Sequence, residues 1–428
     1  MSANVSQALL EASKVWLAMR VEGLTLDRGA ALLTGAEPAV KSAAQSYLYC
    51  AVRNRLKVLF VEKSLIEKPA PQKVASLLEI ALSLLIAGDI NEYTVVNEAG
   101  KAVREIPDGS YSAGFVNAVL RNFLRKKDVF AQSFSENPTL AYNVPRWWYE
   151  KIKTQYPARY KEILTESLAQ PALILRVNNR RIKTEDFLKA LSGAGIAARF
   201  LGAAAVLIEK PVPVEKIPGF GIGLCSVQDA ASQLAARLLP VKDRDRVLDA
   251  CAAPGGKSAA ILERSDADVT ALDIEPRRCA KIRDNMRRLG LVCDIRCADA
   301  SNRDFLASLG DFDDILLDAP CTASGIVSRH PDIVFMRRPG DIAGLAAQQK
   351  KLLEALWERV RPGGSLLYCV CSIFLEEGPW QIDAFLARHS GAREVKRISL
   401  VPSSRDADPG HPAVHDGFFY SLMRKEGL

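Results

Sequence analysis

The 428-residue chain has no apolar run that approaches the roughly 18 residues a membrane-spanning helix needs, so no transmembrane segment is expected. Met1–Lys14 lacks the basic start and apolar core of a secretory leader, which makes a cytoplasmic location the expectation. Histidine is scarce, with four in all. His411 and His415 are four apart, but Pro409 and Pro412 oppose the helix such a pair needs to share a metal, and no CxxC supplies further ligands, so no metal is expected. The nine cysteines are odd in number and irregularly spaced, which excludes a disulfide framework and fits reduced thiols in a cytosol. Cys369 and Cys371, one residue apart in a strand-like run, are too constrained to pair with each other. There is no internal repeat and no low-complexity tract.

What is present divides into three parts. Residues 1–138 read as almost wholly helical: Leu77, Ile80, Ala81, Leu84 and Leu85 recur at helical spacing, as do Val116, Val119, Leu120 and Phe123. Pro69, Pro71 and the turn Ile106-Pro107-Asp108-Gly109 punctuate it, and Asn137-Pro138 closes it. Residues 139–225 read as a small α+β unit with strands at Ala172–Val177 and Val206–Ile208 and a helix capped by Thr184. Its last segment, Lys210–Gly223, has three prolines and three glycines and reads as a linker. Residues 139–240 hold 14 Lys and Arg against 8 Asp and Glu, a net +6 out of the chain's +7. This stretch also carries Trp147, Trp148, Tyr149, Tyr156 and Tyr160, a mixture that suits phosphate contact with base stacking, or equally a solvated basic face over an aromatic core.

From residue 226 to 428 strands and helices alternate. Arg246–Asp249, Val269–Asp273, Ile315–Asp318 and Ser365–Cys371 are the strand candidates, which argues for a mostly parallel sheet covered by helices. Phe418–Met423, after Asp416-Gly417, reads as an antiparallel strand at the sheet edge. The first strand runs into Ala250-Cys251-Ala252-Ala253-Pro254-Gly255-Gly256-Lys257 and then a helix, the loop form that lets backbone approach a nucleotide-like ligand. Asp273 ends the next strand, where a carboxylate accepts hydrogen bonds from ribose hydroxyls, and Asp299 stands at a third strand end within reach of an adenine edge. Neither GxGxxG nor GxxxxGK[ST] is present, so a dinucleotide or nucleoside triphosphate is disfavoured. S-adenosyl-L-methionine, which has no phosphate, fits this shorter loop.

Asp318-Ala319-Pro320-Cys321 and Cys371 close two further strands, so Asp318, Cys321 and Cys371 are expected to converge on one crevice beside a methyl donor. Carbon 5 of cytosine becomes nucleophilic only after something adds to carbon 6, and a thiolate both adds and leaves readily. An acid at Asp318 would hydrogen-bond the N3 and N4 edge of the ring. The residues alone do not say which thiol attacks. Cys50, Cys225, Cys279, Cys293 and Cys369 are read as packing. A DNA cytosine-5 methyltransferase, which attacks with a Pro-Cys thiol, a non-catalytic RNA-binding assembly factor, and a protein or small-molecule methyltransferase with no need of paired thiols remain alternatives.

The strings DACAAPGGK, LDAPC and CSxF closely resemble the RNA cytosine-5 methyltransferase family of the Sun type, over residues 139–428. The resemblance implies a Rossmann-like catalytic domain, Cys371 as nucleophile and Cys321 as the residue that assists product release. It implies that Lys257 and Asp318 line the site, and that Ala250–Gly256, Asp273, Asp299 and Asp318 hold the cofactor. Val370 stands where the family has threonine. Gly114–Asn122 is similar to a NusB-like RNA-binding domain, and the middle unit is expected to be RRM-like. The three parts together resemble bacterial small-subunit ribosomal RNA methyltransferases, which implies 16S ribosomal RNA as partner. Arg329, in Ser328-Arg329-His330-Pro331-Asp332, falls in a segment that contacts the target strand in such proteins.

Overall fold

The structure, a computed structural model, describes residues 4–107, 109–403 and 414–427. Asp108 of the expected turn and His411, with Pro409 and Pro412, lie outside the described residues. The chain forms two compact units: Met1–Leu168 with His330–Arg337, and Ala169–Arg329 with Arg338–Leu428. No described helix is long and apolar enough to cross a membrane.

The first unit is all helical. Its central helix, Gln72–Ala87, follows Pro71 and ends at Gly88, whose φ of 77° only glycine adopts without strain. Apolar residues surround its axis, and Leu77, Ile80, Leu84 and Leu85 are all buried among Leu9, Trp16, Leu48, Val116, Leu120 and Phe123. A helix buried on every side needs neighbours on every side, and Val5–Glu22, Pro38–Arg53, Arg55–Leu65 and Glu92–Ala102 supply them. The segment 330–337 belongs to this unit: Asp332 Oδ2 accepts the Leu26 amide at 2.8 Å, and Arg55 lies over the Phe335 ring. Trp148 and Tyr149 are buried and Trp147, Tyr156 and Tyr160 half-buried in this unit, so two of the five aromatics of the basic stretch belong to its core.

The second unit holds two sheets. β1 (Leu173–Val177), β2 (Ala198–Gly202), β3 (Ala205–Ile208) and β4 (Cys225–Val227) form an antiparallel sheet in the order β2-β3-β1-β4, backed by the helix Thr184–Gly193. The cap of that helix is Lys183, one residue before Thr184, whose hydroxyl instead donates to Asn179 Oδ1 at 3.0 Å. The expected division at residues 225 and 226 falls inside β4, a strand of three residues that is too short for a periodicity signal.

β5 (Arg246–Ala250), β6 (Asp268–Asp273), β7 (Asp294–Cys297), β8 (Phe312–Asp318), β9 (Val360–Val370), β10 (Ala392–Leu400) and β11 (Phe418–Lys425) form the larger sheet, in the order β10-β11-β9-β8-β5-β6-β7. The five strands from β7 to β9 are parallel; β11 is antiparallel to β9 and β10 to β11. Phe418–Met423 is therefore antiparallel as expected but is not the edge. The edge is β10, Ala-Arg-Glu-Val-Lys-Arg-Ile-Ser-Leu, whose charges hide it from an apolar-run reading and suit an exposed edge. Both faces of the sheet are covered: Val247 faces one core and Leu248 the other, and Leu367 and Leu366 divide likewise. The chain runs from β5 out to β7 and then returns to β8 on the other side of β5. The carboxyl ends of β5 and β8 consequently flank the crevice where such sheets bind ligands.

Candidate active site

β5 ends at Ala250, and the loop after it turns at Gly255, with φ at +94°, into the helix Gly256–Leu262. A side chain at Gly255 would come within 3.1 Å of Ile282 as well as straining the backbone, so glycine is required there. The loop is fixed from two sides. Arg176 of β1, almost wholly buried, donates two 2.8 Å hydrogen bonds to Glu263 and one of 2.7 Å to the Gly256 carbonyl. Asp273 at the end of β6 accepts the Ala253 amide at 3.1 Å, while Arg278 donates to the Ala253 carbonyl at 3.0 Å. Asp249, fully buried, receives the Ser258 hydroxyl on Oδ2, and its Oδ1 has no hydrogen-bond partner. Burial pushes its carboxyl up to about 7, against the opposing effect of Ser258.

Cys251, Ala253, Asp273, Asp299, Asp318, Cys321 and Cys371 line one cleft. Ala250, Ala252, Pro254, Gly255, Gly256 and Lys257 do not line it; they lie behind it, as backbone support or beside Asp318. Arg278, Gln348 and Leu352, which sequence reasoning missed, join the lining. Asp299 Oδ1 accepts the Ser301 amide at 2.8 Å, which orders the third strand end.

The Sγ atoms of Cys321 and Cys371 are 3.5 Å apart at the mouth of this cleft. Cys321 is buried and Cys371 only half-buried. The hydrogen bond with Cys371, followed by burial, pushes the Cys321 thiol well up, so Cys321 keeps its proton and can donate it to Cys371. Lys257 Nζ lies 2.6 Å from Asp318 Oδ2. Burial is the largest single effect and lowers the lysine, but the charge and hydrogen bond of Asp318 and the neighbouring cysteines together outweigh it, and the ammonium is held well up. Cys369 is buried in the core as expected and also donates from Sγ to Asp318 Oδ1 at 3.4 Å. Burial likewise pushes up the thiols of Cys50, Cys225, Cys279 and Cys293. Each cysteine is a free thiol.

Arg329 is engaged within the protein. Its Nε donates to Asp416 at 2.6 Å, Nη2 to Asp229 at 3.0 Å and Nη1 to the Ala172 carbonyl at 3.1 Å. A guanidinium engaged on all three nitrogens by protein acceptors is a brace between β1, the helix Ala230–Leu238 and the approach to β11. Among the described residues no group of three or more His, Cys, Asp or Glu is placed to hold a metal. Sequence reasoning also missed Glu377, which is fully buried behind both thiols. Its signal was weak: one of two adjacent glutamates after an apolar turn looks like surface.

Family comparisons agree with this layout. Residues 236–424 match the family described as 16S rRNA methyltransferase RsmB/F, residues 144–215 its ferredoxin-like domain, and residues 24–125 the NusB family. Ribosomal RNA small subunit methyltransferase B of Vibrio cholerae is 36% identical, with 89% of each chain covered. The Vibrio vulnificus protein of the same name is 34% identical over 94% of this chain and 96% of its own. Among solved structures, PH0851 aligns over 99% of both chains with a TM-score of 0.78 at 21% identity, a likeness of fold. A methyltransferase homolog protein from Pyrococcus horikoshii has a TM-score of 0.56 and 25% identity, covering 67% of this chain and 97% of that one.

Proposed function

The chain belongs to the 16S rRNA methyltransferase RsmB/F family, and on that premise we propose that it methylates carbon 5 of a cytosine in 16S ribosomal RNA with S-adenosyl-L-methionine. The observation that carries the chemistry is the pair of thiols, 3.5 Å apart, opening into the cleft beneath the glycine loop. The cleft suits the cofactor: Ala253 of the loop after β5 lines it, with a buried acid, Asp273, at the neighbouring strand end. Ala253, Asp273 and Asp299 would hold it, with Ala250–Gly256 as the supporting loop. When bound, the cofactor supplies an electrophilic methyl group.

Cys371 is the nucleophile. It is the more exposed of the two thiols, and its Sγ lies within hydrogen-bond reach of Cys321, 3.5 Å away. The thiolate forms a bond from Sγ to cytosine C6, and the displaced ring electrons move towards C5 and N3. Asp318, held by the Lys257 ammonium, accepts from the exocyclic amino group, and the pair offers a proton to N3. C5 then takes the methyl group, its own proton passes to water, N3 returns its proton to the Lys257–Asp318 pair, and the C6–S bond breaks to return the Cys371 thiolate. Cys321, in contact with Cys371, serves this release. Both thiols must be reduced, which fits work in the cytoplasm.

Bisulfite sequencing of 16S ribosomal RNA from cells with and without the protein tests the reading. It expects one protected cytosine to lose protection when the gene is deleted. Unchanged protection at every cytosine contradicts it.

A further inference from the structure

Glu377 lies in the turn between β9 and the helix Pro379–Leu386 and has no solvent exposure. Its Oε1 accepts the Thr322 amide at 2.8 Å and Gln349 Nε2 at 3.1 Å. Its Oε2 accepts the hydroxyls of Thr322 and Ser372. Thr322 directly follows Cys321, and Ser372 directly follows Cys371. One carboxylate thus grips the residue next to each thiol.

The surrounding bonds make the grip rigid. Gln349 Nε2 also donates to the Pro320 carbonyl at 2.9 Å, the Ile373 amide to Ser324 Oγ at 2.9 Å, and the Phe374 amide to Ser372 Oγ at 3.1 Å. Tyr368 donates its hydroxyl to the Glu377 carbonyl at 2.6 Å, and the Gly325 amide reaches the Cys371 carbonyl at 3.0 Å. All four donors on the carboxylate are neutral. Burying a carboxylate without a cation is costly, and an apolar side chain would fill the same space without that cost. What an apolar residue lacks is the ability to join two loops at once, which a fully satisfied polar network provides.

We propose that Glu377 is a positioning residue that sets the spacing and aim of Cys321 and Cys371 by holding Thr322 and Ser372 on one carboxylate. It touches neither substrate nor cofactor. This rests on the two-thiol reading above. The two hydroxyls on Oε2 can turn to accept as well as donate, so a glutamine at 377 can keep most of the network. Alanine cannot, and it leaves the buried Thr322 amide without its acceptor.

The test measures single-turnover methyl transfer to unmodified 16S ribosomal RNA by the full-length chain, alongside S-adenosylmethionine affinity by calorimetry and thermal unfolding. Glu377→Ala is expected to slow the transfer step about a hundredfold, the effect of roughly an ångström of misplacement, with cofactor affinity within about twofold of wild type. Glu377→Gln is expected to recover to within about tenfold of wild type, with adduct formation in a Cys321→Ala background slowed in parallel. If alanine prevents folding, glutamine decides alone: a slowed transfer step with intact cofactor affinity supports the proposal. Folded variants that transfer at the wild-type rate overturn it, as does a glutamine variant that loses cofactor affinity as much as rate. If wild type itself makes no 5-methylcytosine, the functional reading fails and this inference falls with it.

Discussion

The Nε atom of Arg329 lies 2.6 Å from Asp416 Oδ2 while Nη2 of the same guanidinium lies 3.0 Å from Asp229 Oδ2, so one cation holds two buried carboxyls. Burial, with Asp229 adding to it, pushes the Asp416 carboxyl up to about 7 even with the arginine beside it. Removing the arginine leaves two buried acids with no counter-charge. Arg329→Ala is expected to lower stability by roughly 3 kcal/mol in urea unfolding, the usual cost of breaking a buried pair from one side. The folded fraction should bind RNA with an unchanged slope of log affinity against log salt, whereas a phosphate contact would reduce that slope by about one.

Lys257 and Asp318 form the other ion pair of consequence. Replacing the lysine with methionine keeps much of the volume and removes the ammonium that the proposed mechanism uses. Lys257→Met is expected to slow methyl transfer by a factor on the order of 100 or more, with S-adenosylmethionine affinity nearly unchanged, in rapid-quench and calorimetric measurements.

Asp249 gives a pH dependence. Its folded pKa, about 7, lies above the ordinary 3.8, so the folded chain keeps this proton longer than the unfolded chain does. Its contribution is fully present below about 4 and is lost as pH rises through about 7, by at most roughly 4 kcal/mol. Asp249→Asn has no proton to lose. In urea unfolding across this range, the stability of the variant relative to wild type should rise with pH; a constant difference would show that Asp249 titrates normally.

Much of the second unit was legible because its strands are apolar on both faces and its cleft-lining residues fall at strand ends. Asp273, Asp318, Cys321 and Cys371 were found that way, and they do meet in one cleft. The misses share a physical cause. β10 carries charge because it is an edge, and β4 is too short to show a period. Arg176, Arg329 and Glu377 are charged side chains that look like surface until the fold brings acceptors or donors to them from 28 or more residues away. In the case of Glu377 the nearest partner, Ser372, is local, but its meaning comes from Thr322 across the crevice.

The division of labour between the two thiols is the centre of the mechanism. It is tested most directly by incubating Cys321→Ala and Cys371→Ala with S-adenosylmethionine and 16S ribosomal RNA, then resolving RNA–protein adducts on a denaturing gel. With Cys371 attacking and Cys321 serving release, the Cys321→Ala protein accumulates a stable adduct and the Cys371→Ala protein forms none. The reverse pattern, an adduct retained without Cys371 and lost without Cys321, would contradict it.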